Sequence, residues 1–449
     1  MTIETHSVTD ELAAFASGLA WSDLPPTTQN AARSTFANVV GLAVGASRNP
    51  AVERALRALT AFGLTGDVSI LGRRERLSAT SAALVTGIAM HVEDFDDTHL
   101  RTVLHPGAPI VPAALAVGEV VGGSGEDVLT AVVAGVEVAS RVGNGLGVAH
   151  FDRGWHVTGT VGHLGAAVAA GRLLRLTPEQ MRHTLALAAT QAAGHTEQLG
   201  SMTKPLHPGK AAADGVEAAQ LAARGFTGPE GSIEGRRGLA ALMTSDADYE
   251  EMLRALGSAW ETEKNAFKPY SCGIVSHPVI DAAIALRERG VVADTIAAVE
   301  VTAHPVVLDV MGVKEPDSGL RSKFSVYHCF AVGLLDGAAG PKQYSDERAL
   351  AEEVVALRRK VNVVVDRTVA KDACSVRVLL DDGTTQEVEV EHATGSIDRP
   401  MTLEQLRAKF ELVVEPVLGA ATARLWDLAV GLDSEDSLAG LLATSVPSA

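Results

Sequence analysis

Residues 159–174 read G-T-V-G-H-L-G-A-A-V-A-A-G-R-L-L, and this stretch decides the fold class. Eight of its sixteen residues are glycine or alanine, and none is proline or aromatic. Side chains this small suit a central helix that neighbouring helices approach closely on every side. Working outward, helical spacing predicts helices over 8–18, 27–45 (started by Pro25 and Pro26), 49–64, 79–91, 108–121 and 125–142. T-P-E-Q at 177–180 opens a helix over 177–193 with Thr177 as N-cap. A helix over 210–224 is stopped by Gly225.

The texture changes after about Lys264. Residues 276–289 still read as helix. Residues 297–305, 361–366, 374–380 and 387–392 are Val-rich or alternating, as strands are. Asp381, Asp382 and Gly383 form a turn signal that makes a hairpin of the last two. Helical stretches fall within 324–336 and 346–363 and return over 402–413 and 420–431. The expected fold is mainly α. A large all-helical domain comes from both chain ends, 1–265 and 399–449, and a smaller α+β domain, 266–398, is inserted between them.

Composition narrows the function. The 449 residues are 47% apolar, 21% charged and only 4% aromatic, as in an ordinary globular protein rich in close helix contacts. Fifty-five acids against 38 bases leave a net charge of −17. With no Lys/Arg run, neither a nucleic-acid partner nor a membrane partner is expected. Three scattered cysteines, Cys272, Cys329 and Cys374, argue against a disulfide framework or a zinc ribbon. The polar, acidic start M-T-I-E-T-H-S carries no signal-peptide pattern, so a cytoplasmic location is expected.

Reactive groups concentrate in four segments. Residues 91–107, H-V-E-D-F-D-D-T-H-L-R-T-V-L-H-P-G, hold four acids and three histidines directly after an apolar run. The others are G-W-H-V-T-G at 154–159, S-M-T-K-P-L-H-P-G-K at 201–210, and K-P-Y-S-C-G-I-V-S-H at 268–277. Three of them place His or Lys in a Pro/Gly-punctuated loop beside a helix start, where amide partial charges and ammonium groups suit carboxylates. The blander readings are solvated lysines for Lys204 and Lys210, a satisfied core ring for His156, and packing for His163. A metal reading of Asp94, Asp96 and Asp97 with His91, His99 and His105 competes for the first segment. No H-E-x-x-H, phosphate loop, dinucleotide fingerprint or G-x-S-x-G elbow is present.

In this order the segments resemble the MmgE/PrpD family, which includes 2-methylcitrate dehydratases, cis-aconitate decarboxylases and iminodisuccinate epimerases. R-S-K-F-S-V-Y at 321–327 and M-T-L-E-Q-L-R-A-K-F at 401–410 look like later segments of the same family. The resemblance implies a helical domain plus a smaller α+β domain, a homodimer, and a cofactor-independent site with no metal. It implies a pocket of Asp94, Thr98, His105, His156, Lys204, Lys268, His277 and Tyr327. The interval from Thr98 to His105 is one residue longer than the family pattern.

The chemistry implied is a lyase acting on a small di- or tricarboxylate, by dehydration or decarboxylation, through proton transfer next to a carboxylate. His105 and His156 are the candidates for proton transfer. Lys204 and His277 would bind carboxylate and stabilise the anion. Asp94 would orient a histidine or touch substrate. Two alternatives stand beside this reading: epimerisation of a dicarboxylate, with His105 and His156 as opposed acid–base groups, and a non-catalytic carboxylate-binding protein.

Overall fold

A computed structural model of the chain describes residues 7–447. The terminal residues 1–6 and 448–449, with most of the acidic amino-terminal stretch, lie outside the described residues. The protein is mainly helical, with one small mixed sheet. No helix among the described residues is long and apolar enough to cross a membrane.

The helices that position the site are α1 (Pro26–Gly45), α2 (Ala79–His91), α3 (Gly107–Val121), α4 (Gly125–Leu146), α5 (Val157–Leu173) and α6 (Thr203–Ala223). α5 is the Ala/Gly stretch, and every residue of it except Arg172 is buried. It packs against α3, α4 and α6. Gly135 of α4 and Gly165 of α5 face each other so closely that a Cβ on either would strike the other's carbonyl oxygen. Gly209 of α6 stands against the backbone of α2 at Leu84 in the same way. These approaches bring His156, the residue just before α5, within reach of α2 and α6.

The largest departure from the expected helix bounds lies at the start of α6. α6 begins at Thr203, seven residues before the predicted start, so Lys204 and His207 lie on its first two turns and not in a loop. Pro205 falls in the first turn, where its missing N–H costs nothing, and Pro208 is carried inside the helix. The prolines had read as loop punctuation.

Apolar side chains gather into two cores. The larger spans helices from Val8 to Trp260 and takes in Leu406, Phe410, Val414 and Trp426 near the C-terminus. The smaller runs from Cys272 to Val388. It is built on α7 (His277–Glu288), α8 (Val326–Asp336) and four strands: β3 (Ile296–Ala303), β4 (Val361–Val365), β5 (Cys374–Leu380) and β6 (Thr385–Val390). Their order is β4-β3-β5-β6, with β3 and β4 parallel and the other pairs antiparallel. β5 and β6 form the expected hairpin. α9 (Leu403–Leu418) returns to pack on α1, with the Phe410 ring lying where a side chain at Gly41 would be.

Candidate active site

The site begins where α2 ends. His91 is the last residue of α2, and the chain then turns sharply through 92–97. Asp94 sits in the left-handed region at φ 52°, an uncommon place for a non-glycine residue and one that Asp tolerates better than most. A two-residue ladder follows: β1 (Thr98–His99) pairs with β2 (Asn265–Ala266), which delivers Lys268 to the turn.

Three distant lysines grip that turn through three consecutive carbonyls. Lys323 Nζ donates to the Glu93 carbonyl at 2.6 Å, Lys268 Nζ to that of Asp94 at 3.2 Å, and Lys409 Nζ to that of Phe95 at 2.6 Å. Lys323 also pairs with the Glu93 carboxylate at 2.9 Å. Lys409 lies over the Phe95 ring, 4.2 Å from its centroid. Burial pulls Lys409 down to about 7 even though Asp96 and Asp97 favour its charge.

The Asp94 carboxylate joins two ammonium groups. Its Oδ1 lies 2.6 Å from Lys268 Nζ and 2.8 Å from Lys204 Nζ, and its Oδ2 is buried without a partner. Burial alone would raise this carboxyl, but Lys204 and Lys268 reverse that and hold it well below the usual range. Burial lowers Lys204, while Lys268 lies above its ordinary value because Asp94 and Asp96 outweigh burial.

Beside this triad stand three imidazoles. Ring centroids of His91 and His105 are 4.8 Å apart, those of His91 and His156 5.9 Å, and those of His105 and His156 6.4 Å. Each ring is anchored through Nδ1. His91 Nδ1 lies 2.6 Å from Asp96 Oδ2. His105 Nδ1 lies 2.9 Å from the Asp97 carbonyl and 3.2 Å from Thr98 Oγ1. His156 Nδ1 lies 2.9 Å from His207 Nδ1. A carbonyl oxygen only accepts, so His105 carries its proton on Nδ1 and leaves Nε2 bare. Burial is the main reason all three fall well below the ordinary imidazole value, which favours neutral rings. His207 is pulled down to about 4 for the same reason.

Asp96 and Asp97, unlike Asp94, shift upward. Burial raises Asp96 and pushes Asp97 up to about 6. Asp97 Oδ2 accepts from the Gly107 amide at 2.9 Å and from Asn265 at 2.7 Å, tying the turn to the start of α3.

The structure therefore brings Asp94, Thr98, His105, His156, Lys204 and Lys268 together. His277 and Tyr327 lie in the smaller core. His277 is fully buried, edge-on to Tyr270 at 5.3 Å and beside the Cys272 thiol. Tyr327 lies beneath Lys314. Among the described residues no hydrogen bond, ion pair or ring contact joins either to the imidazoles. His99 is held by Thr102 and Glu261, His163 by Asp214, and Lys210 pairs with Asp214 on its own helix. Residues 91 and 207 carry signals that were readable beforehand. His91 stands five residues before Asp96, and His207 is one helical turn from Lys204. Lys409 offered no local signal.

A buried group of imidazoles, a carboxylate and paired ammoniums, enclosed by helices, is a candidate acid–base site with the charge to suit an anionic substrate. Residues 10–263 match the MmgE/PrpD N-terminal domain and residues 270–433 the MmgE/PrpD C-terminal domain, so the chain belongs to the MmgE/PrpD family. It is 28% identical to a cis-aconitate decarboxylase of Aspergillus terreus, covering 97% of this chain and 95% of the relative. It is 31% identical to a cis-aconitate decarboxylase of Mus musculus, covering 76% and 73%. The Homo sapiens cis-aconitate decarboxylase is 30% identical over 75% and 72%.

Proposed function

We propose that the protein is a cofactor-independent carboxy-lyase for a small tricarboxylate of the cis-aconitate kind. The observation that carries this reading is the placement of three neutral imidazoles beside the Lys204–Asp94–Lys268 triad. The names of the relatives support the substrate class. His105, His156 and Lys204 are the catalytic residues; Asp94, Thr98 and Lys268 shape and charge the pocket. His277 and Tyr327 stay in the proposal only as groups that a closing movement of the smaller core would have to bring in. The division at 266 and 398, a homodimeric state and a cytoplasmic location belong to the same reading.

In cis-aconitate the carboxylate to be lost sits on the saturated carbon beside the double bond. Breaking that C–C bond releases carbon dioxide and leaves its electron pair spread over the allyl carbons and the neighbouring carboxylate. The charge is enediolate-like, and a preorganised ammonium in a dry site lowers its energy far more than water would. Lys204 supplies that ammonium, turning from Asp94 toward the substrate. One proton must then reach the far allyl carbon. The neutral histidines become protonated as a polyanion enters, because nearby negative charge favours imidazolium. His105 or His156 then delivers the proton. Dehydration would use the same groups. The two rings, 6.4 Å apart and inclined at 50°, also keep epimerisation as a second reading.

The test is incubation in deuterated water with cis-aconitate, citrate, 2-methylcitrate and iminodisuccinate, followed by NMR, with Lys204→Ala as control. The expected result is carbon dioxide release from cis-aconitate with one deuterium in the product. A new alkene without carbon dioxide would point to dehydration, and inversion with deuterium uptake to epimerisation. No turnover of any of the four would overturn the enzyme reading.

A further inference from the structure

We propose that the imidazoles of His91, His105 and His156 also form a capture site for one divalent transition-metal ion of the zinc class. Bound there, the ion would inhibit the enzyme. The inhibition, though not the binding, rests on the function proposed above.

Each of the three residues offers one ring nitrogen, and these nitrogens lie within 4.8 Å of one another. Tetrahedral zinc at about 2.0–2.1 Å from each nitrogen needs separations of about 3.3 Å, a change that small ring movements supply. The surroundings match those of metal-bound histidine. Such ligands use one nitrogen for the ion and commit the other to a carboxylate, a carbonyl or another polar group. Here Asp96, the Asp97 carbonyl and His207 hold the three Nδ1 atoms. His91 Nε2 is buried without a partner.

Charge does not forbid the ion. Lys204 and Lys268 face the imidazoles and repel a cation, but both are paired with Asp94, and the Asp96 carboxyl lies 3.6 Å from His105. An ion on these nitrogens would occupy the atoms needed for proton transfer. A rival surface cluster, Asp372, His392 and Asp398, offers only one nitrogen and is solvent-accessible.

The test is a Co²⁺ titration of chelator-washed full-length protein, reading the visible d–d bands of low-coordinate cobalt, with Zn²⁺ as displacer. Di- and tricarboxylates chelate both metals, so binding is read directly and not through substrate competition. One equivalent with strong bands is expected, lost in His156→Ala and His91→Ala and unchanged in His392→Ala. Asp96→Asn should weaken binding about 10–100-fold. Absence of bands, or bands abolished only by His392→Ala, would overturn the proposal. If the histidine variants do not fold, X-ray absorption of zinc-loaded wild type decides. Three nitrogen neighbours at about 2.0–2.1 Å support the site, and a mainly oxygen shell sinks it. Turnover without cobalt binding removes this inference and leaves the lyase. Cobalt binding with no turnover of any carboxylate does the reverse.

Discussion

Lys409 Nζ donates to the carbonyl of Phe95 at 2.6 Å, across 314 residues of sequence. The contact fastens a carboxy-terminal helix to the turn that carries Asp94 and Asp96. A buried cation there is costly, and burial holds Lys409 near 7, below its ordinary 10.5. Between those two values the unfolded chain keeps a proton that the folded chain lacks. The contribution of this lysine to stability therefore rises with pH across that window. The thermal midpoint of Lys409→Met, compared with wild type, should lose ground steadily from pH 7 to pH 9.5. A constant difference across that range would contradict the assignment.

Asp94 and Lys268 form a fully buried pair, and Lys204 shares the same carboxylate oxygen. Removing Asp94 leaves two buried ammonium groups without a counter-charge, which costs about 3–5 kcal/mol. Asp94→Asn should show a loss of this order, and Lys268→Met a smaller one, because Lys204 still faces the carboxylate. The double variant should lose clearly less than the sum, because removing Lys268 takes away one of the charges that Asp94→Asn leaves uncompensated. Strict additivity in urea unfolding would mean that the pair is not coupled.

His105 is aimed by Thr98 and the Asp97 carbonyl. His105→Gln should lower kcat on the reactive tricarboxylate by about 10²–10⁴-fold, the usual value of a positioned acid or base. Thr98→Val keeps the shape and removes one of two contacts to Nδ1, so its loss should be much smaller, with KM little changed. Equal losses from the two substitutions would assign Thr98 more than an orienting part.

Burial favours the neutral form of the three imidazoles, and entry of a polyanion raises their proton affinity. Binding of an unreactive tricarboxylate at pH 7 should therefore draw protons from the buffer. Calorimetry in buffers of different ionisation enthalpy reads this directly. The uptake should shrink in His156→Phe. Proton release on binding would reverse the sign and defeat the electrostatic account.

Much of this was readable from local pattern. The Ala/Gly run at 159–174, the Thr177 cap and the Asp381–Gly383 turn each depend on neighbours a few residues away, and helices and hairpin formed where they indicated. Strand edges moved by a residue or two. The start of α6 moved by seven, because proline in a first helical turn resembles proline in a loop until the chain around it is placed. The site was legible in kind, since histidine, lysine and aspartate crowd into four short segments. Membership was less so. His91 entered only through the rival metal reading and His207 was not singled out, yet both stand against the other imidazoles, while His277 and Tyr327 lie in the smaller core.

Sequence alone therefore decided the helical class, the strand-bearing region after Lys264 and the types of reactive group. Local periodicity, caps and turn residues act over one or two turns of chain, and composition needs no geometry. Only the tertiary structure decided that the 92–97 turn is held by Lys268, Lys323 and Lys409 through three successive carbonyls. It alone decided that three histidines from two segments share one dry space. Those facts depend on how closely α2, α5 and α6 approach, and on a low dielectric that exists only after packing has expelled water. Burial of that kind turns ordinary ammonium, carboxylate and imidazole groups into shifted acids and bases.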